Sequence, residues 1–153
     1  MGRRFESGLR LFVDVVEQVT QVDDALVRAM ARLIPQLSPA RPAPTHDDLA
    51  ALAREQTFLV ARDGEEILGT LTLVLYRTMR LRARIEDVVV DEAARGRGVG
   101  ESLVREALRR AAEAGAVTVE LNSRPEREAA NRLYARLGFQ LHETHSYRLE
   151  LGK

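Results

Sequence analysis

The chain has 153 residues, its 23 basic side chains balance 23 acidic ones, and it contains no cysteine. That length fits one domain, taken over 1–153, with a core of its own, and the cancelled charge leaves no global field to hold nucleic acid or an anionic membrane. Without thiols there is no disulfide framework, no thiolate zinc site and no cysteine nucleophile.

Residues 1–10 are expected to be loosely ordered; no apolar run reaches the about 20 residues of a membrane span, and the Arg3-Arg4 start lacks the apolar segment of a signal peptide, so the expected location is cytoplasmic. Over 11–19, apolar alternation through Val13, Val15 and Val19 predicts a first strand. Leu26, Met30, Leu33 and Leu37 recur at helical spacing behind Asp23 and Asp24, predicting a helix to about Leu37. Pro39, Pro42 and Pro44 make an extended connector, and Thr45 with Asp48 three residues on is a capping-box pattern for a short helix through Leu49, Leu52 and Ala53. Strands over 57–61 and 67–76 flank Asp63-Gly64, a strong hairpin signal. A further strand over 82–90 ends in a continuous apolar run, as a strand covered on both faces does.

That strand breaks into Val88-Val89-Val90-Asp91-Glu92-Ala93-Ala94-Arg95-Gly96-Arg97-Gly98-Val99-Gly100, a basic, glycine-rich turn before a long amphipathic helix. Glycines let backbone N–H groups converge on an anion, and the helix adds unpaired donors and the positive end of its dipole. A P-loop needs Gly-Lys followed by Ser or Thr, whereas Gly98 precedes Val99 and Gly100. A dinucleotide fingerprint from Gly96 needs Gly or Ala at 101, where Glu101 stands. The helix is predicted to bury Val99, Leu103, Val104, Ala107, Leu108 and Ala111, to pair Glu101 with Arg105 and Glu106 with Arg110 on its wet side, and to end at Gly115. Residues 117–121 read as a strand parallel to the previous one. A helix through Asn131 and Tyr134 then ends near Gly138, and residues 147–151 are expected to close the sheet.

Arg95-x-x-Gly98-x-Gly100 after a buried strand, together with Glu128-Ala129-Ala130-Asn131-Arg132-Leu133-Tyr134 closed by Gly138-Phe139, resembles the paired motifs of the GNAT-type N-acetyltransferases. The resemblance covers roughly 57–150 and implies an α/β three-layer fold. Its sheet is mixed and mostly antiparallel with a central parallel pair, in the order β-α-α-β-β-β-α-β-α-β. It implies acetyl-CoA as cosubstrate and an amine as acceptor. Backbone N–H groups of Arg97, Gly98, Val99 and Gly100 would take the pyrophosphate, with Arg95 and Gly96 in the same cofactor-binding loop. The Arg95 and Arg97 side chains would add full charge, where the plainer reading makes them solvated surface arginines. Val88, Val89 and Val90 would take the pantetheine arm. Asn131 would touch the cofactor, and Tyr134 matches the position that protonates the departing CoA sulfur. Glu86 matches a frequent position for a base.

An amine attacks only when neutral, so direct attack in a ternary complex needs a base and an acid, with the carbonyl polarised by a backbone N–H near Val88–Val90. Plainer readings stand beside these roles. Tyr134 shares a helix face with Ala130, Leu133 and Leu137 and could be a core tyrosine, and Glu86 could be a substrate contact or a structural partner for a nearby Arg. Glu86 would share a face with Val88 and Val90 unless a bulge intervenes. The segment Arg84-Ile85-Glu86-Asp87-Val88-Val89-Val90 is also similar to the strand of glucosamine-6-phosphate N-acetyltransferases whose acidic pair faces the acceptor, which makes Asp87 a substrate candidate. Those enzymes carry a Cys-containing strand and a Phe-Tyr pair where this chain has Val119-Glu120-Leu121-Asn122-Ser123 and Leu133-Tyr134, so the narrower match breaks down downstream of that segment and does not set the expected acceptor. The expected acceptor is a small primary amine. Alternatives are a protein N-terminus or lysine, a catalytically silent CoA-binding regulatory module, a nucleotide-binding domain using the same loop, and a soluble α/β interaction domain. His46, His142 and His145 have no partner at ligand spacing, so no metal is expected. A homodimer through an edge strand is compatible with the pattern.

Overall fold

A computed structural model describes residues 15–152. The expected loose end over 1–10 and the start of the first strand over 11–14 lie outside the described residues. The chain forms two compact units, one through Asn122 and one from Ser123.

The first unit contains β1 (Val15–Gln18), α1 (Asp24–Leu37), α2 (His46–Glu55), β2 (Thr57–Asp63), β3 (Glu66–Arg77), β4 (Leu81–Val90), a 3-10 turn (Glu92–Ala94), α3 (Val99–Ala114) and β5 (Val119–Glu120). The strands form one sheet in the order β1-β2-β3-β4-β5. Three pairings are antiparallel, and β4 with β5 is parallel, as the sequence predicts.

Local chemistry fixes the helix starts. Asp23 caps α1 by accepting the Leu26 N–H at 2.9 Å, and Thr45 with Asp48 forms the expected reciprocal box at 3.0 and 2.9 Å. Pro35 lies in the last turn of α1, which runs two residues beyond it. In the β2–β3 hairpin Asp63 pairs with Glu66, so the turn residues are Gly64 and Glu65, with Gly64 at φ +64°.

Alternation sorts the strands onto two covered faces. Phe58, Val60 and Val89 join Leu26, Met30, Leu33 and Leu49 in the core beneath α1 and α2. Ala61 pairs with Gly69, and Gly69 lies directly under Val99 and Leu103 of α3, so this face carries the second helical layer. The helix α3 buries Val99, Leu103, Val104, Ala107 and Ala111, with Leu108 only half-buried.

The second unit contains α4 (Glu128–Arg136). The strand expected over 147–151 is corrected here: those residues form no strand, and Tyr147, Leu149 and Leu151 are exposed. Alternation makes a strand only where a neighbouring edge accepts its backbone groups, and α4 is the only regular element among the described residues of this unit. The parallel strand expected over 117–121 is likewise reduced to Val119–Glu120.

Two predictions follow from packing and charge. A Cβ on Gly69 would stand 2.9 Å from the Val89 carbonyl oxygen and 3.0 Å from Val99 Cγ1, so Gly69→Ala is expected to cost about 1–3 kcal/mol in urea unfolding. On the outer side of α3, hydrogen bonds from Arg109, against some burial, and then from Arg110 hold Glu106 down at about 2 from its ordinary 4.5. The depressed carboxylate stabilises the fold above pH 4.5, and its contribution is lost as pH falls towards about 2. Unfolding of the native protein and Glu106→Gln should therefore differ by on the order of 1 kcal/mol at neutral pH and converge in that acid window.

Candidate active site

The site is organised by β4. On one side it pairs with β3 through Leu73↔Ile85, Thr72↔Glu86, Thr70↔Val89 and Gly69↔Val90. On the other, β5 pairs only at Ala83↔Val119 and Arg84↔Glu120, which leaves the edge from Ile85 to Val90 without a strand partner there among the described residues. The Asp91 N–H donates to the Leu68 carbonyl at 2.8 Å, so by ladder alternation the N–H and C=O of Val90, and of Val88 before it, aim at the open edge.

Between Glu86 and Val89 the ladder slips: two residues of β4 oppose one of β3. Asp87 sits in this bulge at φ +54°, the one non-glycine in left-handed territory among the described residues. The bulge changes the alternation that a regular strand would give. Glu86 shares a face with Val89 on the α1 and α2 side, while Val90 lies across from Gly69 on the α3 side. Glu86 is exposed and accepts from Arg84 Nε at 3.0 Å, and Arg84 Nη1 reaches Glu120 Oε1 at 3.5 Å. Asp87 Oδ1 accepts from Arg41 Nη1 at 3.1 Å, which ties the connector between α1 and α2 to the bulge.

Beyond β4 the chain turns through Gly96 at φ +82° and Gly98 at φ +78°, both left-handed as glycine permits. Gly98 caps α3 without a side chain to accept from its first turn. The first-turn donors and the positive dipole end of a 16-residue helix therefore meet at this loop. Arg97 Nη2 donates to Asp63 Oδ2 at 2.7 Å, so its charge is compensated by the hairpin. Arg95 is exposed and its guanidinium has no bond among the described residues.

In the second unit, Tyr134 is buried edge-on to Phe139, with ring centroids 5.8 Å apart. Burial pushes its phenol above the ordinary tyrosine value, with Arg127 pulling the other way. Asn131, one turn earlier, donates from Nδ2 to the Arg124 carbonyl at 3.0 Å and so fixes the turn that opens α4. Gly138 follows α4 at φ +102°, as its predicted cap role requires. Glu86, Asp87, Val88–Val90 and Arg95–Gly100 thus belong to one strand-turn-helix passage, and Asn131 with Tyr134 to a separate helix.

Sequence reasoning missed Asp91, Arg32, Gln36 and Arg41. Asp91 is buried where β4 ends, accepting from Arg32 Nε at 3.0 Å and the Ala93 N–H at 3.2 Å. Burial raises its pKa, but the Ala93 and Arg32 hydrogen bonds outweigh that and hold it below the usual carboxylate value. An acid closing a β-branched run is a visible signal, but its partner lies 59 residues away. Among the described residues no cluster of His, Asp and Glu could hold a metal ion, and no helix is long and apolar enough to cross a membrane.

A uncapped helix start behind a glycine turn, beside an open strand edge, is the arrangement that the acetyltransferase resemblance implies, and the profile of the Acetyltransferase (GNAT) family matches residues 25–139. The chain belongs to this family. It is an acetyl-CoA-dependent N-acetyltransferase. The chain is 37% identical to glucosamine 6-phosphate N-acetyltransferase 1 of Oryza sativa subsp. japonica over 124 residues, covering 73% of each. It is 38% identical over 133 residues to the probable glucosamine 6-phosphate N-acetyltransferase 2 of the same plant, covering 80% of this chain and 78% of the relative. Among solved structures, a putative acetyltransferase from Agrobacterium tumefaciens superimposes with a TM-score of 0.77 at 26% identity, over 89% of this chain and 99% of the other. The narrower kinship set aside on residues 119–123 and Leu133 is thus the one to which these curated relatives belong.

Asp87 yields a stability test. Asp87→Gly should stay within about 0.5 kcal/mol of the native protein, because relief of the left-handed backbone offsets loss of an exposed ion pair. Asp87→Val, β-branched at φ +54°, should lose about 1–2 kcal/mol in the same urea titration.

Proposed function

We propose that this acetyltransferase acts on the amine of a small phosphorylated amino sugar, of the glucosamine 6-phosphate class. The observation that carries the proposal is the β4 bulge, where Glu86, on the α1 and α2 side, and Asp87 stand beside the guanidinium groups of Arg84 and Arg41. A hexosamine phosphate carries an ammonium and a phosphate on one small ring, and this patch presents both carboxylates and guanidinium groups that can exchange partners with it. The two rice relatives, whose names state that substrate, support the same choice.

In this reading the open-edge amides of Val88 and Val90 hold the pantetheine arm of acetyl-CoA, and the backbone of Arg95–Gly100 holds its pyrophosphate. Acetyl-CoA brings the thioester. The Val88–Val90 stretch also supplies a backbone N–H to the carbonyl oxygen as charge develops there. Glu86 takes the proton from the acceptor ammonium, and the freed amine attacks the thioester carbonyl directly. The C–S bond breaks with the Tyr134 hydroxyl protonating the departing sulfur, and the proton released by the new amide nitrogen restores Tyr134. Asn131 supports Tyr134 and the cofactor from the same helix. The fold acts as a single functional domain in the cytoplasm.

The test is CoA thiol release with glucosamine 6-phosphate, glucosamine and a lysine peptide as acceptors. The sugar phosphate should give the highest kcat/KM, with at least about a hundredfold loss when its phosphate is absent; equal rates with glucosamine would overturn the assignment. Tyr134→Phe should lower kcat about 100-fold with little change in the acetyl-CoA KM. Because the Tyr134 pKa is raised above 10, the phenol keeps its proton through the working range, so its contribution to kcat should persist to about pH 10 and fall only above it.

A further inference from the structure

The passage from β4 into the glycine turn is gripped by α1. Arg32 uses two donors at once, Nε to Asp91 Oδ2 at 3.0 Å and Nη2 to the Ile67 carbonyl at 2.9 Å. One turn later Gln36 Oε1 accepts the Glu92 N–H at 2.8 Å, while its Nε2 donates to the Arg32 carbonyl at 3.2 Å. Two side chains four residues apart on one helix thus hold consecutive residues at the point where strand becomes turn. Asp91 passes the constraint on: its carboxylate accepts the Ala93 N–H, its carbonyl accepts the Ala94 N–H at 2.8 Å, and the Arg95 N–H returns to Glu92.

Arg32 is half-exposed and is not part of the apolar core, so its contact is a polar one at the end of β4; losing it also leaves the largely buried Asp91 carboxylate without its partner, which the ligand-free Tm registers. The fork geometry of Arg32 fixes one orientation of the Asp91 carboxylate relative to β3, and Gln36 fixes the next peptide. The glycines that follow are conformationally free, so the direction in which they leave depends on how Asp91 and Glu92 are held.

We propose that Arg32 and Gln36 are positioning residues for acetyl-CoA: from α1 they set the Glu92–Gly98 turn so that its backbone donors are aligned before the ligand arrives. This rests on the assignment of the glycine turn to the cofactor phosphates. The residues touch neither substrate, and their loss is felt in cofactor affinity rather than in the chemical step.

The experiment measures the acetyl-CoA Kd by calorimetry, the KM of each substrate and the ligand-free Tm for Arg32→Gln, Gln36→Ala, Gly98→Val and Glu106→Gln. Gln36→Ala places a strong helix former at a half-buried position, so the fold is retained. Expected are a rise in acetyl-CoA Kd of about threefold for Gln36→Ala and about tenfold for Arg32→Gln, with kcat and the amine KM within twofold. Glu106→Gln should lower Tm and leave the Kd unchanged, which separates positioning from stability. If Gly98→Val weakens binding while both α1 variants bind as the native protein does, the α1 proposal is overturned and the cofactor loop stands. If Gly98→Val also leaves Kd unchanged, the loop assignment fails and the proposal with it. A Kd that rises in Glu106→Gln as it does in the α1 variants would also overturn the proposal, since lost stability alone would then account for it.

Discussion

A strand inside a sheet normally commits its backbone groups to both neighbours, and β4 does so on one side only beyond Arg84. Antiparallel pairing with β3 runs to Val90, whereas parallel pairing with β5 stops after two residue pairs. The N–H and C=O groups of Val88 and Val90 have no strand to take them among the described residues, and an extended ligand whose amides bond there exchanges hydrogen bonds with water for hydrogen bonds with the protein, at little free energy per bond. What the edge supplies is direction: a ligand laid along it has its register set by the ladder. The helix N-terminus stands at the end of the same strand because the chain needs only the short passage from Asp91 to Gly98 to reach it. Gly69 lets α3 approach the sheet there, its Cα facing Val99 and Leu103 without a side chain between.

The bulge is the second constraint. Before it, Ile85 is buried across from Leu73; after it, Val89 is buried in the core beneath α1. One extra residue therefore moves the buried register of β4 from one covered face to the other. In a regular strand Glu86 and Val90 would share one face, whereas here they lie on opposite ones. The cost is a left-handed aspartate, and Asp lowers that cost more than most residues could. The same slip sets two carboxylates beside two guanidinium groups at the sheet surface.

What was legible in the sequence was what short segments decide. Asp23 and Thr45 announce helix starts, Gly64 a hairpin, and Gly96 and Gly98 a left-handed turn, because each requirement is met by the residue itself or one three positions away. The parallel β5 was legible from its apolar run, but its length was not, since that depends on how far two distant strands stay together. Tyr147, Leu149 and Leu151 alternate as a strand should, yet alternation cannot state whether a partner edge exists. The grip of Arg32 on Asp91 and of Arg41 on Asp87 spans 59 and 46 residues and leaves no periodic trace. The narrower kinship was set aside on a missing cysteine and a Leu in place of Phe, which are side-chain differences off the β4 segment; that segment, where backbone geometry and acid placement are set, retained the likeness.

The contacts that α1 and the connector after it make with β4 and the residue that follows it differ in kind. Asp91 is mostly withdrawn from water, with its carboxylate 11% exposed, so releasing Arg32 leaves a desolvated charge without its partner. Asp87 and Arg41 are 46% and 45% exposed, and water can replace either partner at small cost. Leu26, Met30 and Leu33 anchor α1 in the core, so the helix is held independently of either contact. The stiff contact lies at the turn assigned to the cofactor, where donors must converge on a fixed pyrophosphate. The yielding one lies at the bulge assigned to the acceptor, where an incoming ammonium or phosphate has to displace a side chain before it can bind. That division places rigidity where alignment matters and exchangeable charge where a substrate must enter.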